Sequence, residues 1–219
     1  MKKEIDHNKK ALSMWNGWSK YRSGKPIYDL WLDDYKSDLE KFKNSKFLDL
    51  GCGIGADTLY LIERGYKVIS VDYSKEAINN ILSNIKGSEA KILDMNEKFT
   101  FENNSFNLII ADISLHYFNE EKTKNIMNEI KRILNKNGIL ICRVSSINDN
   151  YYGARSGTEI EKRYYDHGSY AQRYFNEDDL NKFFSIIGKF TFVEKAMTRK
   201  EAYYSKPKML YQVRVECNK

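Results

Sequence analysis

The chain has 219 residues, 42% hydrophobic and 30% charged, and 36 Lys and Arg against 30 Asp and Glu give a net charge of +6. That length suits one α/β domain with modest additions, and the apolar share is enough for a packed core, which excludes a globally disordered chain. The charged opening Met1-Lys2-Lys3-Glu4 leads into no apolar run and no stretch is long enough to span a membrane, so a soluble protein with no membrane partner is expected.

Cys52, Cys142 and Cys217 are odd in number and show no C-x-x-C spacing, so neither a disulfide framework nor a zinc site is indicated, no metal is expected, and a reducing cytoplasm fits best. The basic residues are spread along the chain without an arm or an Arg-rich tract. The charge therefore permits nucleic acid as a partner and does no more.

From Asp6 to Phe42 the sequence is polar with interspersed rings, and Gly24-Lys25-Pro26 divides it. Trp31, Tyr35, Leu39 and Phe42 recur at helical spacing, which predicts two helices joined by a turn. Their rings either pack the pair onto the domain or form a lid over a site. Short apolar runs then alternate with amphipathic stretches, the pattern of a parallel sheet with crossover helices. Strands are expected at Lys46 to Leu50, Lys67 to Val71, Ala90 to Leu93, Phe106 to Ala111 and Gly138 to Val144. Helices are expected at Ala56 to Arg64, Lys75 to Ile85 and Glu120 to Leu134, the last stopped by Asn137-Gly138. Ser146 to Arg173 breaks the pattern: polar, rich in Tyr and Gly, and too long for an idle connection, it is read as a functional loop. A helix opens at Asn176 and runs through Ile187, and two strands near Lys189 to Met197 and Lys208 to Glu216 look antiparallel.

The chemistry lies in Phe47-Leu48-Asp49-Leu50-Gly51-Cys52-Gly53-Ile54-Gly55-Ala56, a glycine-rich turn between a buried strand and a helix. Such a turn lets the backbone approach a ligand at the carboxyl edge of the sheet. Asp72 follows Gly51 by 21 residues and ends the second strand, where an acid can accept both ribose hydroxyls. These residues form one nucleoside site. The glycines alone also satisfy a dinucleotide pattern, so an NAD(P)-dependent oxidoreductase stands as an alternative. Asp49 at the end of strand one, Asp94 after strand three and the order of the last two strands favour S-adenosylmethionine.

From Phe47 to Val144 the sequence resembles the class I S-adenosylmethionine-dependent methyltransferases. The resemblance implies an α/β, Rossmann-like sheet, mostly parallel with a C-terminal antiparallel strand, divided into an N-terminal helical lid (1–44), a cofactor-binding core (45–145), an acceptor-side insertion (146–175) and a C-terminal helix and hairpin (176–219). It implies Asp49, Gly51 and Gly53, with Cys52 between them, along the methionine part of the cofactor. Asp72 would take the ribose with Tyr73 beside the adenine, Asp94 and Met95 would face the adenine amino group, and Ala111 and Asp112 would lie near the sulfonium. Cys52 reads as a small residue in a tight turn. Asp57 either charges the helix N-terminus or reaches the cofactor's amino group. In layout the chain is similar to small-molecule members such as the tellurite-resistance and thiopurine types.

A sulfonium is an activated methyl donor, so direct in-line displacement is expected, and a general base is needed only for an acceptor that must lose a proton. His116, in Ala111-Asp112-Ile113-Ser114-Leu115-His116-Tyr117-Phe118, is the candidate base, though a His at such a junction also commonly bonds to backbone. His167 is a second. Candidate acceptor residues are Tyr21, His116, Tyr117, Tyr152, Arg155, Tyr165 and Arg173. The insertion also carries Tyr151, Tyr164, Tyr170 and Tyr174, a mix that either encloses a planar or anionic acceptor or packs as a surface flap. The Asn/Asp-Pro-Pro-aromatic signature of amino-directed nucleic-acid enzymes is replaced by Ala111-Asp112-Ile113-Ser114. The readings carried forward are a small-molecule methyltransferase, an rRNA or tRNA methyltransferase acting at another atom, the oxidoreductase, and a noncatalytic nucleoside-binding module. The oligomeric state stays open.

Overall fold

A computed structural model describes residues 7–22, 24–197 and 206–219. The chain opens with α1 (His7–Tyr21), a 3-10 turn (Trp31–Tyr35) and α2 (Lys36–Lys41). The core follows as β1 (Lys46–Leu50), α3 (Ala56–Glu63), β2 (Lys67–Asp72), α4 (Lys75–Asn84), β3 (Glu89–Ile92), β4 (Phe106–Asp112), α5 (Glu120–Ile133) and β5 (Leu134–Ser145). Three short strands, β6 (Thr158–Glu161), β7 (Tyr164–Asp166) and β8 (Ala171–Arg173), precede α6 (Glu177–Phe184), β9 (Gly188–Ala196) and β10 (Met209–Cys217).

The main sheet has the order β3-β2-β1-β4-β5-β10-β9, parallel except for the pairings of β10 with β5 and β9. This is the mostly parallel, Rossmann-like sheet with an antiparallel C-terminal end that the sequence pattern implied. Its strands are near-continuous apolar runs because both faces are covered. Leu48, Leu50, Ile109, Ala111, Leu140 and Cys142 join the core under α5 and α6, whereas Phe47, Leu108, Ile110, Ile139 and Ile141 pack toward Trp31, Leu39, Tyr60 and Leu61. The chain leaves β1 toward one edge and β4 toward the other, so the crevice where open α/β sheets bind ligands lies between the ends of β1 and β4.

Three local expectations change. The second N-terminal helix is split, because the segment begins as a 3-10 turn and becomes α-helical only at Lys36. Asn137-Gly138 does not stop α5: Ile133 is its last helical residue, Leu134 already pairs with Phe106, and Asn137 takes a positive φ of 59° inside β5 where the register shifts. The segment read as a loop after β5 folds as the antiparallel sheet β6-β7-β8. Ser205 of the β9–β10 connection lies outside the described residues.

Two helix N-termini hold that small sheet in place. Glu161 Oε2 accepts the Glu120 N–H at 2.9 Å at the start of α5 and also receives Arg173 at 3.0 Å. Arg163 pairs with Asp179 at 2.5 and 2.7 Å in the first turn of α6. Asp179 and Asn176 form a capping box there, with the Asp179 N–H donating to Asn176 Oδ1 at 3.0 Å. No helix of the described residues is long and apolar enough to cross a membrane. Asn176→Ala removes the cap acceptor and is expected to cost about 1 kcal/mol in urea unfolding. Ligand binding at the far end of β1 should be unchanged, as read by calorimetry on the same variant.

Candidate cofactor and acceptor site

The turn after β1 forms the floor. Gly51 has φ +75°, and a Cβ there would lie 2.4 Å from the Ser114 Cβ, so backbone and space both demand glycine. Its N–H and that of Cys52 donate to the Val71 carbonyl at 2.8 and 3.0 Å, which ties the turn to the neighbouring strand. Asp72, ending β2, accepts the Gly53 N–H at 3.0 Å and the Ser74 N–H at 2.8 Å. One carboxylate thus orients the glycine turn and the start of α4, and burial raises its pKa despite those donors.

Asp49 is buried at the end of β1, where Thr58 Oγ1 donates to it at 2.7 Å. With the Thr58 proton committed, Ser70 Oγ donates to Thr58 at 2.7 Å, so three polar groups from β1, α3 and β2 form one chain. Burial, reinforced by Asp112 and Asp72, pushes the Asp49 pKa up to about 7. Among the described residues no cationic side chain is paired with it. Asp94 binds the backbone and side-chain amides of Asn96 through Oδ1 alone, both at 2.8 Å. Asn96 is held in turn by Lys122 at 2.8 Å.

At the end of β4, Asp112 receives a fork from Arg143 on β5, Nε to Oδ1 at 2.5 Å and Nη2 to Oδ2 at 2.8 Å. The same guanidinium reaches Asp29 before the 3-10 turn, at 2.7 and 3.2 Å. The Trp31 ring covers it 4.5 Å away and donates its Nε1–H to Asp57 at 3.0 Å. Ile113 next to Asp112 has φ +53°, a strained region for a β-branched residue. Its N–H donates to the Arg143 carbonyl at 3.0 Å, and Ser114 Oγ donates to the Leu50 carbonyl at 2.8 Å, so hydrogen bonds on both sides hold the strained turn.

These groups surround a cavity of about 250 Å³. Asp49, Gly51, Cys52, Gly53, Asp57, Asp72, Tyr73, Asp94, Met95 and Asp112, all expected at a cofactor, line it. Ala111 lies behind it in the core. The same cavity has an aromatic wall: Trp15 of α1 meets Tyr117 with centroids 5.0 Å apart at 65°, and Tyr117 meets Tyr170 at 6.1 Å and 81°. Tyr164 adds a fourth ring and donates its hydroxyl to the Tyr117 carbonyl at 3.1 Å. Ser74 Oγ donates to Asn16 Oδ1 at 2.6 Å, fixing α1 across the mouth.

Of the residues expected on the acceptor side, Tyr117 lines the cavity and the others do not. Tyr21 faces solvent at 87% exposure, because helical phase turns Trp15, Ser19 and Arg22 inward instead. Tyr152 exchanges hydrogen bonds with the Lys206 backbone at 2.9 Å. Arg155 is exposed at a turn with positive φ, and Tyr165 packs edge-on against Tyr174. Arg173 is buried, paired with Glu161, and serves the fold of the insertion.

His116 is fully buried and off the cavity: Nδ1 accepts the Ser145 N–H at 3.3 Å, and its carbonyl accepts the Arg173 N–H at 2.7 Å. Burial and nearby Lys208 hold its pKa well below the usual range, so it stays neutral. His167 is half-buried against Tyr170 and Tyr174, also off the cavity. Sequence reasoning missed Arg143 and Asp29. The only signal was an Arg inside the apolar run Ile139 to Val144.

Residues 47–138 match the family model described as a methyltransferase domain. The core is a class I S-adenosylmethionine-dependent methyltransferase domain. The chain is 30% identical over 126 residues to a putative methyltransferase of Bacillus subtilis, covering 54% of this chain and 49% of that protein. It is 33% identical over 110 residues to TehB of Haemophilus influenzae, a probable S-adenosyl-L-methionine-dependent methyltransferase, covering 48% and 37%. It thus spans less than half the length of these curated relatives. A methyltransferase structure from Methanosarcina mazei shares the fold, with a TM-score of 0.65 at 18% identity over 82% of this chain and 96% of that one.

The cofactor of such domains is S-adenosylmethionine, and the residues present fit it. Asp49 is a buried acid at the cavity with no paired cation among the described residues, and a ligand carrying ammonium and sulfonium charge would supply one. Asp72 and Asp94 each keep hydrogen-bonding capacity for hydroxyl or amino donors.

Two outcomes check this site. Unfolded Asp49 ionises near its ordinary 3.8, whereas the folded group keeps its proton to about pH 7, so this residue makes the apo-protein lose stability as pH rises between those values. Asp49→Asn should therefore match the parent near pH 4 and exceed it above pH 7 in cofactor-free urea titrations. Replacing a general base costs about 10²- to 10⁴-fold in rate. His116→Gln should show no such loss and an unchanged pH–rate profile in a methyl-transfer assay, its cost falling on stability instead.

Proposed function

We propose that this chain transfers the methyl group of S-adenosylmethionine to a small-molecule acceptor by in-line displacement. One observation carries the reading: among the described residues, one cavity is lined both by the acids suited to a nucleoside and by the rings of Trp15, Tyr117, Tyr164 and Tyr170, with α1 tied beside it through Asn16 and Ser74. Bound there, the sulfonium brings an already activated methyl group. The protein's work is positional. The glycine turn and Asp72 fix the nucleoside end, Asp112 is locked by Arg143, and the rings exclude water from the line of attack.

The alternative acceptor, RNA, draws support from the net charge of +6. The cavity itself weighs against it, since five carboxylates and one guanidinium line it. We further place the protein in the cytoplasm, with its three cysteines as free thiols.

Calorimetric titration with S-adenosylmethionine, S-adenosylhomocysteine and NAD tests the reading. Micromolar binding of the first two, weakened about tenfold or more by Asp72→Ala through lost charge-assisted hydrogen bonds, is expected. Binding of NAD alone would overturn it in favour of a dinucleotide enzyme. An acceptor screen across metabolites and RNA, repeated at two salt concentrations, then separates the acceptors, because phosphate contacts weaken steeply with salt.

A further inference from the structure

We infer that the acceptor is an amine, held by the rings of Trp15, Tyr117, Tyr164 and Tyr170 at the carboxylate-lined end of the sheet as its nitrogen becomes cationic. The inference rests on the methyl-transfer reading and adds the acceptor's chemical class.

Three observations carry it. The first is the charge of the site: Asp49, Asp57, Asp72, Asp94 and Asp112 line the cavity, and Arg22 is the one basic side chain among the described lining residues. Arg143 behind Asp112 is shared with a sixth carboxylate, Asp29, and so does not reverse the sign. An anionic acceptor would enter against this field, whereas the positive charge that forms on an amine nitrogen during transfer is favoured by it. The second is the wall. Trp15, Tyr117 and Tyr170 stand at 65° and 81° to their neighbours, forming adjoining walls rather than a stack, and aromatic walls around a small volume suit an ammonium group. The Tyr164 hydroxyl is spent on the Tyr117 carbonyl, so that residue offers its ring.

The third is that, among the described residues, neither His116 nor His167 reaches the cavity, and Asp112 is engaged through both oxygens by Arg143. An alcohol or ring N–H acceptor needs proton removal during attack, whereas a neutral amine attacks with its own lone pair. In that step the amine nitrogen forms the new N–C bond as the C–S bond breaks. Sulfur keeps the bonding pair and leaves as a neutral thioether, the positive charge passes to nitrogen, and any surplus N–H proton goes to water.

The product complex is thus a neutral thioether beside an ammonium ion, which can be assembled directly. The protein is saturated with S-adenosylhomocysteine and titrated with choline and with its uncharged isostere 3,3-dimethyl-1-butanol. Choline should bind on the order of tenfold more tightly. Tyr170→Leu should remove that preference while S-adenosylhomocysteine still binds, and Tyr170→Phe should retain it. Equal affinity for the pair, or a preference for a short RNA or an anionic acceptor over choline, overturns the amine assignment and leaves methyl transfer standing. Failure of S-adenosylhomocysteine to bind overturns the underlying reading, and the amine with it.

Discussion

The buried guanidinium of Arg143 is the interaction around which the cofactor edge is assembled. It lies 1% exposed between Asp112 and Asp29, on opposite sides of the boundary between the sheet and the N-terminal segment. Two carboxylates cannot be buried together without a cation, and a guanidinium cannot be buried alone; each carries a desolvation penalty of several kcal/mol. The planar fork of Arg reaches both acids, which the point charge of a lysine cannot do. Removing any member leaves an uncompensated charge in the core, so the three stand or fall together.

The conformation of the neighbouring chain follows. Because Arg143 holds Asp112 through both oxygens, the chain leaves β4 in a fixed direction and Ile113 is carried into the left-handed region. The strain is tolerated since the Ile113 N–H and the Ser114 hydroxyl each find a carbonyl. Ser114 in turn leaves no room for a side chain at Gly51, so the turn after β1 and the turn after β4 are fitted to each other. The end of the cavity between β1 and β4 is therefore held by packing and hydrogen bonds before any ligand arrives, which is what the proposed in-line transfer needs.

How much of this was legible in the sequence divides along the same line. The core strands lay within a few residues of their observed ends, because a sheet covered on both faces writes itself as apolar runs separated by amphipathic helices. The glycine turn with Asp49, Asp72 and Asp94 was legible because backbone geometry fixes both residue type and spacing there. Arg143 and Asp29 were not, since they are 114 residues apart and nothing local links an Arg in an apolar strand to an Asp before a 3-10 turn. The aromatic wall proposed for the acceptor was half legible: the insertion announced its tyrosines, but which ones face the cavity depends on the pairing of β6, β7 and β8. Tyr164 and Tyr170 point in, whereas Tyr152 and Tyr165 are used elsewhere. Arg173 looked like an anion fork and is instead consumed by Glu161.

The same division bears on why the fold says little about the acceptor. The proposed nucleoside end is built from turns that follow sheet strands, whose geometry the whole core enforces. The proposed acceptor end is built from α1 and the β6–β8 sheet, which hang on a few polar ties: Asn16 to Ser74, Glu161 to the start of α5 and Arg163 to the start of α6. These ties use helix caps and N-termini, features the core must supply in any case, so the elements they hold can change residues without disturbing the sheet. On the proposed reading, substrate choice resides where the sequence is least constrained by folding. It has to be read from the chemistry of the cavity lining itself, in which rings and carboxylates predominate, and not from the architecture that carries it.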